Sequence, residues 1–552
     1  MRCADRTTAG PADAEHAEGR TNPQTKENVV VKRAKRLAVA GTCIAGLLLT
    51  PLAAHAATTS PADDTPESAL SVLSVLNNTR PASSHAFYIS PNGSDSNPGT
   101  KDAPFKTLLK AQDAASAGDI VYIRGGLYND FVVPETDNPF EDVYHYVNPI
   151  SKSGITYEAY PGDPRPVFDF SNVPTDQRVA GFYIQTNVTD VNFVGFDVTG
   201  VKVGAQKQSE AFRIAGGANF VDMDVHDNEA NGFYYTIDGT GAVIDSDSHD
   251  NIGPTSTAAG NTDGFGAHAK NVWFIGDRSW HNSDDGYDSI SSSGRVSYVD
   301  DWSFGQHGNQ NGIGDQNGFK VGGFAYNTTG LPDPIPLHTV IDSLAADNGA
   351  NNFYANHQPG QSAYWVNNTG YQPGYGADFN MLERVSPTSA DNISGFREVL
   401  HNNVAFTGPL TLNDNTPAAN ETNNSWTLNG GLNLTAADFQ SLDMSQLTAP
   451  RKADGSLPDV SFLKPVDGST LQSSGLGYQA DKGDEFSTLQ KLVGVYAQSG
   501  DIDNQGIAAS LVDKLQDHEL TAFANELRAQ AQKHISQYAV DTLTLVAAAL
   551  AS

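Results

Sequence analysis

Beyond about residue 190 the apolar positions recur in a short unit: a polar residue, a small residue, then an aromatic one. The instances are Glu210-Ala211-Phe212, Asn231-Gly232-Phe233, Asp263-Gly264-Phe265, Asp285-Gly286-Tyr287, Asn317-Gly318-Phe319 and Asn351-Asn352-Phe353. Their central residues are 21, 32, 22, 32 and 34 apart, so the short interval reads as the unit and the longer ones as the unit plus an inserted loop. A second track lies upstream of the first, in Val225-His226-Asp227-Asn228, Ser248-His249-Asp250-Asn251 and Trp280-His281-Asn282-Ser283. Between the tracks stand strand-like runs such as Asn271 to Ile275 and Val296 to Val299. A period near 22 built from short strands and Asn-rich turns marks a solenoid. No Leu-x-x-Leu-x-Leu pattern occurs, which excludes leucine-rich repeats. The expected fold is all-β, a right-handed parallel β-helix in which each aromatic points inward and stacks on the next, about 4.8 Å away. Turn Asn and Asp residues are expected to form ladders along the axis, while Asp245, Asp247 and Asp250 read as solvated turn residues.

The ends of the chain differ in kind. Phe87-Tyr88-Ile89 reads as a strand, Ser90 to Gly93 as a turn, Thr107 to Ala117 as a helix with Leu108, Ala111 and Ala115 on one face, and Ile120 to Ile123 as a strand. That helix is expected to cover the open apolar end of the solenoid, as terminal units must. Lys32, Arg33, Lys35 and Arg36 precede the apolar run Leu37 to Leu49, and Ala54-His55-Ala56 follows with the small-x-small pattern of a signal peptidase site. Residues 1–56 are therefore expected to be a signal peptide with an extended leader, residues 57–84 a linker, and residues 85–480 the β-helix. The protein is expected to be secreted and extracellular, with no membrane association after processing. Residues 484–552 carry helical spacing, with Leu489, Leu492 and Val493 followed by Leu511, Leu515, Phe523 and Leu527, and read as a small all-α domain of three or four helices.

Composition narrows the function. The 552 residues carry 33 Lys and Arg against 64 Asp and Glu, a formal charge of −31. Binding nucleic acid needs a basic surface, so that class is excluded as a partner. Both cysteines, Cys3 and Cys43, lie in the leader. A secreted chain without disulfides relies on a large core or on bound ions. A monomer is expected.

Aligning the repeats on the aromatic residue yields two columns on the sheet. Two residues before it stand Glu210, Asn231, Asp263, Asp285, Asn317 and Asn351, and one after it stand Arg213, Tyr234, Gly266, Asp288, Lys320 and Tyr354. Asp263 and Asp285 become neighbours on adjacent coils, Asp288 lies beside them and Asp284 adjoins at the turn. Four carboxylates in one patch repel each other, and a bound cation relieves that repulsion. Carboxylate oxygens select a hard ion, and Ca²⁺ tolerates irregular geometry better than Mg²⁺. Lys320 lies one coil beyond Asp288. A neutral amine there is a competent general base, and Arg213 is a candidate contact for an anionic substrate group. Ca²⁺ bridging to a substrate carboxylate would acidify the proton on the adjacent carbon. Lysine then removes that proton and the glycosidic oxygen leaves: β-elimination of a uronic-acid polymer.

At these residues the sequence resembles pectate lyase of polysaccharide lyase family 9. The resemblance rests on Asn282-Ser283-Asp284-Asp285-Gly286-Tyr287-Asp288, Asn317-Gly318-Phe319-Lys320-Val321-Gly322-Gly323 and Asp263-Gly264-Phe265, with Ala449 to Gly455 and Phe462-Leu463 similar to the family's closing segment. It implies Ca²⁺ held by Asp263, Asp284, Asp285 and Asp288, Lys320 as the base, and pectate or polygalacturonate as the polysaccharide partner. Arg213 is not carried by the resemblance. Residues 484–552 resemble the helical FIMAH module of secreted bacterial enzymes. Two rivals keep the fold. One is a polygalacturonase-type glycoside hydrolase, in which a carboxylate pair works across a water. The other is a non-catalytic calcium-binding adhesin, which has no use for Lys320.

Overall fold

The computed structural model describes residues 85–133, 144–323, 338–356, 363–382, 398–412, 421–453 and 455–478. The expected leader (1–56), linker (57–84) and helical module (484–552) lie outside the described residues. Among the described residues no helix is long and apolar enough to cross a membrane.

Three parallel sheets wind into a β-helix, each full coil giving one strand to each sheet. The first has 12 strands, from Ala86–Ile89 to Glu421–Thr422; the second has 10, from Tyr144–Ile150 to Leu410–Thr411; the third has 10, from Leu127–Tyr128 to Val404–Phe406. The polar–small–aromatic unit lies on the second sheet. Its aromatics form one continuous internal stack, Phe182, Phe212, Phe233, Phe265, Tyr287, Phe319, Phe353 and Phe379, with ring centroids 4.6 to 5.3 Å apart and planes within 18° of parallel. The repeat is therefore longer than the sequence pattern indicates. It already includes Ala180-Gly181-Phe182 and continues to Ala377-Asp378-Phe379. One long interval holds an inserted helix, Ser256–Ala259, as expected for a loop insertion. Phe265 sits between Phe233 and Tyr287 and is wholly buried. Phe265→Ala is expected to cost about 3–5 kcal/mol of stability, read by denaturant unfolding.

The central glycine of the unit is a matter of space. A Cβ at Gly286 would stand 2.1 Å from Ser303 Oγ and 2.7 Å from the carbonyl oxygen of Gly318 on the next coil. The Asn and Asp content has a different cause. At the corner between the first and third sheets the backbone is left-handed on successive coils, at Asp222, Asp245, Asp300, Asp342, Asn367, Asn402 and Asn423, with φ from 47° to 62°. Short amide and carboxylate side chains tolerate that conformation better than other non-glycine residues. The expected ladder is present too: Asn228 Nδ2 donates to Asn251 Oδ1 at 2.9 Å, and Asn251 Nδ2 to Asn282 Oδ1 at 2.8 Å. Expecting Asp245 and Asp247 to be solvated is corrected here, whereas the Asp250 side chain keeps 43% of its surface exposed. Asp245 and Asp247 are buried. Asp247 lies in ion pairs with Arg278 and Arg451 at 2.6 and 2.7 Å, and Asp250 bonds His249 and His281. Arg278 on the next coil and Arg451 from the closing segment together offset the burial of Asp247, and the repeat alone gives no sign of Arg451.

Each end of the stack is covered. Leu108–Ala114 forms the N-terminal helix, with Thr107 accepting the Lys110 amide as its cap, and Leu108, Ala111 and Ala115 face the core. The helix stops before the expected Ala117 because Ala115 is extended. At the other end Trp426 packs on Phe379 at 5.3 Å. The closing segment lies against the outer face of the third sheet, where Trp302, Phe304, Tyr371 and Phe406 meet Phe439, Leu447, Phe462 and Leu471.

Candidate active site

The two columns read from the sequence are real neighbours in register. Glu210 pairs with Asn231, and Arg213, Tyr234, Gly266, Asp288, Lys320 and Tyr354 follow one another across the second sheet. The columns are not, however, an exposed outer surface. Asp263, Asp284, Asp285, Asp288 and Lys320 are all less than 9% exposed. The insertion that carries Asp315 reaches the cluster, its Asp315 amide donating to Asp284 Oδ1.

Lys320 is the centre of the cluster. Its Nζ lies 3.0 Å from Asp285 Oδ2, 3.3 Å from Asp288 Oδ2 and 2.9 Å from Asp315 Oδ2. The carboxylates are fixed by the backbone. Asp263 Oδ1 accepts the Asp285 amide at 3.2 Å, Asp285 Oδ1 accepts the Asn317 amide at 2.8 Å, Asp284 Oδ1 accepts the Asp315 amide at 2.6 Å and Asp288 Oδ1 accepts the Ile290 amide at 2.8 Å. Asp285 Oδ2 is buried and, among the described residues, has no hydrogen-bond partner beside its ion pair with Lys320 at 3.0 Å.

Burial and mutual repulsion set the protonation of the cluster. Burial first, then the charges of Asp288 and Asp285, hold Asp263 well above the usual carboxylate range. Burial, then Asp285 and Asp315, does the same to Asp284. Asp285 is pushed up to about 7 by burial, against the pull of Lys320. For Lys320 burial opposes the charged form, but Asp285, Asp288 and Asp315 outweigh it and raise its pKa well above the ordinary lysine value.

Five carboxylates facing one ammonium ion are short of positive charge, which fits a divalent cation. Asp263, Asp284 and Asp285 each offer an oxygen, and these atoms lie within 4.8 Å of one another. Donors around one ion of Ca²⁺ size can be separated by that much, since each bond is about 2.3–2.6 Å. Asp288 belongs to a different grouping, with Asp263 and His268, under the same limit. The two groupings overlap at Asp263 and together include all four carboxylates of the expected quartet. Because Asp285 titrates near 7, cation binding is expected to tighten as pH rises through that value and to release protons. Calorimetry in buffers of different ionisation enthalpy would measure the release.

Two members escape the sequence reading. Asp315 sits in the insertion before Asn317, where no period marks it. His268 is three residues after Phe265 and so shares a face with the Gly266 column, a position the two-column alignment does not include.

Arg213 shares the column of Lys320 but stands apart from the cluster, with Tyr234 and Gly266 between it and Asp288. Its guanidinium lies 3.3 Å from the fully buried Glu210, donates to Tyr144 Oη at 3.1 Å, and stacks 4.7 Å from the Tyr144 ring. Removing one partner of a buried pair strands the other. Arg213→Ala is therefore expected to lower stability by about 3–5 kcal/mol, measured by urea unfolding.

A parallel β-helix carrying a buried lysine–carboxylate cluster on one sheet defines the class of protein. The chain belongs to the Pel9A-like right-handed β-helix family, whose model matches residues 87–403. Pectate lyase L of Dickeya chrysanthemi is 30% identical over 406 residues, covering 70% of this chain and 85% of that protein. Among solved structures, a rhamnogalacturonan lyase superposes with a TM-score of 0.63 at 34% identity, covering 71% of this chain and 99% of that one. Pectate lyase Pel9A superposes with a TM-score of 0.54 at 26% identity, covering 72% and 93%.

Proposed function

We propose that this protein is a secreted polysaccharide lyase that cleaves polygalacturonate by Ca²⁺-dependent β-elimination. The observation that carries the reading is the position of Lys320, wedged among Asp285, Asp288 and Asp315 rather than solvated. A structural ion site has no use for an amine at its centre, which separates this reading from an adhesin. Asp263, Asp284, Asp285 and Asp288 would hold the ion, which when bound supplies a bridge to the uronate carboxylate and stabilises the enolate-like anion. The residues do the rest. Once the carboxylates engage a cation, their grip on the ammonium weakens and Lys320 becomes able to shed its proton. Its Nζ then takes the C5 proton, the C5–H electrons form the C4–C5 double bond, and the C4–O bond breaks with its pair on the leaving oxygen. Arg213, farther along the same column, enters as a contact for another anionic unit of the chain.

A hydrolase finds less support. A carboxylate pair working across a water leaves Lys320, set among Asp285, Asp288 and Asp315, without a role. A second substrate has a specific observation behind it. The rhamnogalacturonan lyase is matched over nearly its whole length, so a backbone alternating rhamnose and galacturonate is the competing polymer. The test is incubation with polygalacturonate and, separately, rhamnogalacturonan in the presence of Ca²⁺. Ultraviolet absorbance of the conjugated 4,5-unsaturated product on either polymer supports elimination and identifies the substrate. New reducing ends without absorbance mean hydrolysis, and neither signal overturns the reading.

A further inference from the structure

His268 gives the cluster a second kind of donor. Its Nδ1 lies 2.9 Å from the Ile290 carbonyl oxygen. A carbonyl oxygen only accepts, so Nδ1 carries the hydrogen and Nε2 of the neutral ring keeps its lone pair. The ring leans across Gly266, where an added Cβ would stand 3.0 Å from Nε2, and it lies against Tyr234 at 5.0 Å between centroids. A side chain at position 266 would crowd the ring. The ring is half-buried, and among the described residues Nε2 has no hydrogen-bond partner. The fixed Nδ1–H bond to a backbone carbonyl is the arrangement that orients imidazole metal ligands. A donor nitrogen of His268 and carboxylate oxygens of Asp263 and Asp288 lie within 4.8 Å of one another.

We infer that Asp263, His268 and Asp288 form a second cation site, adjoining the all-carboxylate site through the shared Asp263 and Asp288 and suited to a first-row divalent ion such as Mn²⁺. Imidazole nitrogen draws the preference away from Ca²⁺, while two carboxylates keep it short of the softest ions. Charge supports a second ion. Asp263, Asp284, Asp285, Asp288 and Asp315 face Lys320 alone, so one divalent cation leaves the fully ionised cluster at −2. A second neutralises it, which favours approach of an anionic polymer.

The test uses the full chain, with Mn²⁺ as the probe in saturating Ca²⁺. Calorimetry is expected to find one further Mn²⁺ equivalent, and pulsed electron paramagnetic resonance is expected to show nitrogen coupling from one imidazole. His268→Ala is expected to weaken Mn²⁺ binding by at least about 10–100-fold, the loss seen when even an outer partner of a metal ligand is removed, and to abolish the coupling while Ca²⁺ binding persists. His268→Gln keeps a donor for Ile290 and lacks the imidazole lone pair, so it serves as the better-folded variant. Mn²⁺ stoichiometrically displaced by Ca²⁺, absence of nitrogen coupling, or unchanged Mn²⁺ affinity in the variants would overturn the site. Lyase activity in Ca²⁺ alone is measured separately, so failure of the catalytic reading leaves this result standing, and the converse.

Discussion

Lys320→Ala is expected to lower the elimination rate by about 10²–10⁴-fold, the range that a positioned general base contributes, with the absorbance of unsaturated product as the readout. The argument rests on position and on sign. Nζ has three carboxylate neighbours within 3.3 Å and is nearly buried, so no solvent lysine can substitute for it. Those neighbours favour the ammonium form and hold its pKa well above the ordinary value. A base must be unprotonated, so activity is expected to climb into alkaline pH, and added cation is expected to shift the rise toward lower pH by drawing the carboxylates away. Lys320→Arg keeps the positive charge but cannot act as a neutral base, because guanidinium stays protonated. It is expected to be as inactive as the alanine variant. An active arginine variant, or an acid optimum, would dismiss Lys320 as the base.

Removal of divalent cations with EDTA is expected to abolish activity and also to lower stability, by an amount that depends on pH. Asp285 has its folded pKa raised to about 7. A carboxyl whose folded pKa exceeds the unfolded value contributes stability that is fully present below the unfolded pKa and lost as pH rises through the folded one. The ion-free protein is therefore expected to lose stability from about pH 4 upward to pH 7, where an unfolded Asp titrates near 3.9. Ca²⁺ should restore it most strongly at the upper end. Asp285→Asn removes the charge, keeps the shape and accepts the Asn317 amide. It is expected to flatten this pH dependence while losing both Ca²⁺ affinity and turnover. Thermal melting with and without Ca²⁺ across that range is the measurement; a calcium effect equal at all pH values would contradict the assignment.

The fold was legible because its core is periodic. Phe212, Phe233, Phe265 and Tyr287 recur with a glycine or alanine before each, and register alone then brings Asp263, Asp285, Asp288 and Lys320 together. What was not legible lies outside that period. Asp315 belongs to an insertion whose path follows from tertiary packing. His268 stands two residues beyond Gly266 on the same strand and leans over it, a relation that alignment on the aromatic and its nearest neighbours leaves out. Asp247 looks solvated until Arg451, 204 residues away in sequence, closes over it.

A stack of identical parallel rungs has no internal reason to stop, and its last rung offers an unpaired strand edge to any other chain. Here the helix Leu108–Ala114 and the Trp426 region occupy the two ends of the aromatic column. These end pieces decide whether the molecule remains a discrete particle. Without them, the rung spacing that orders the interior becomes a template for end-to-end fibre growth. Proteolysis or mutation at either end piece is thus a hazard to solubility before it is one to catalysis.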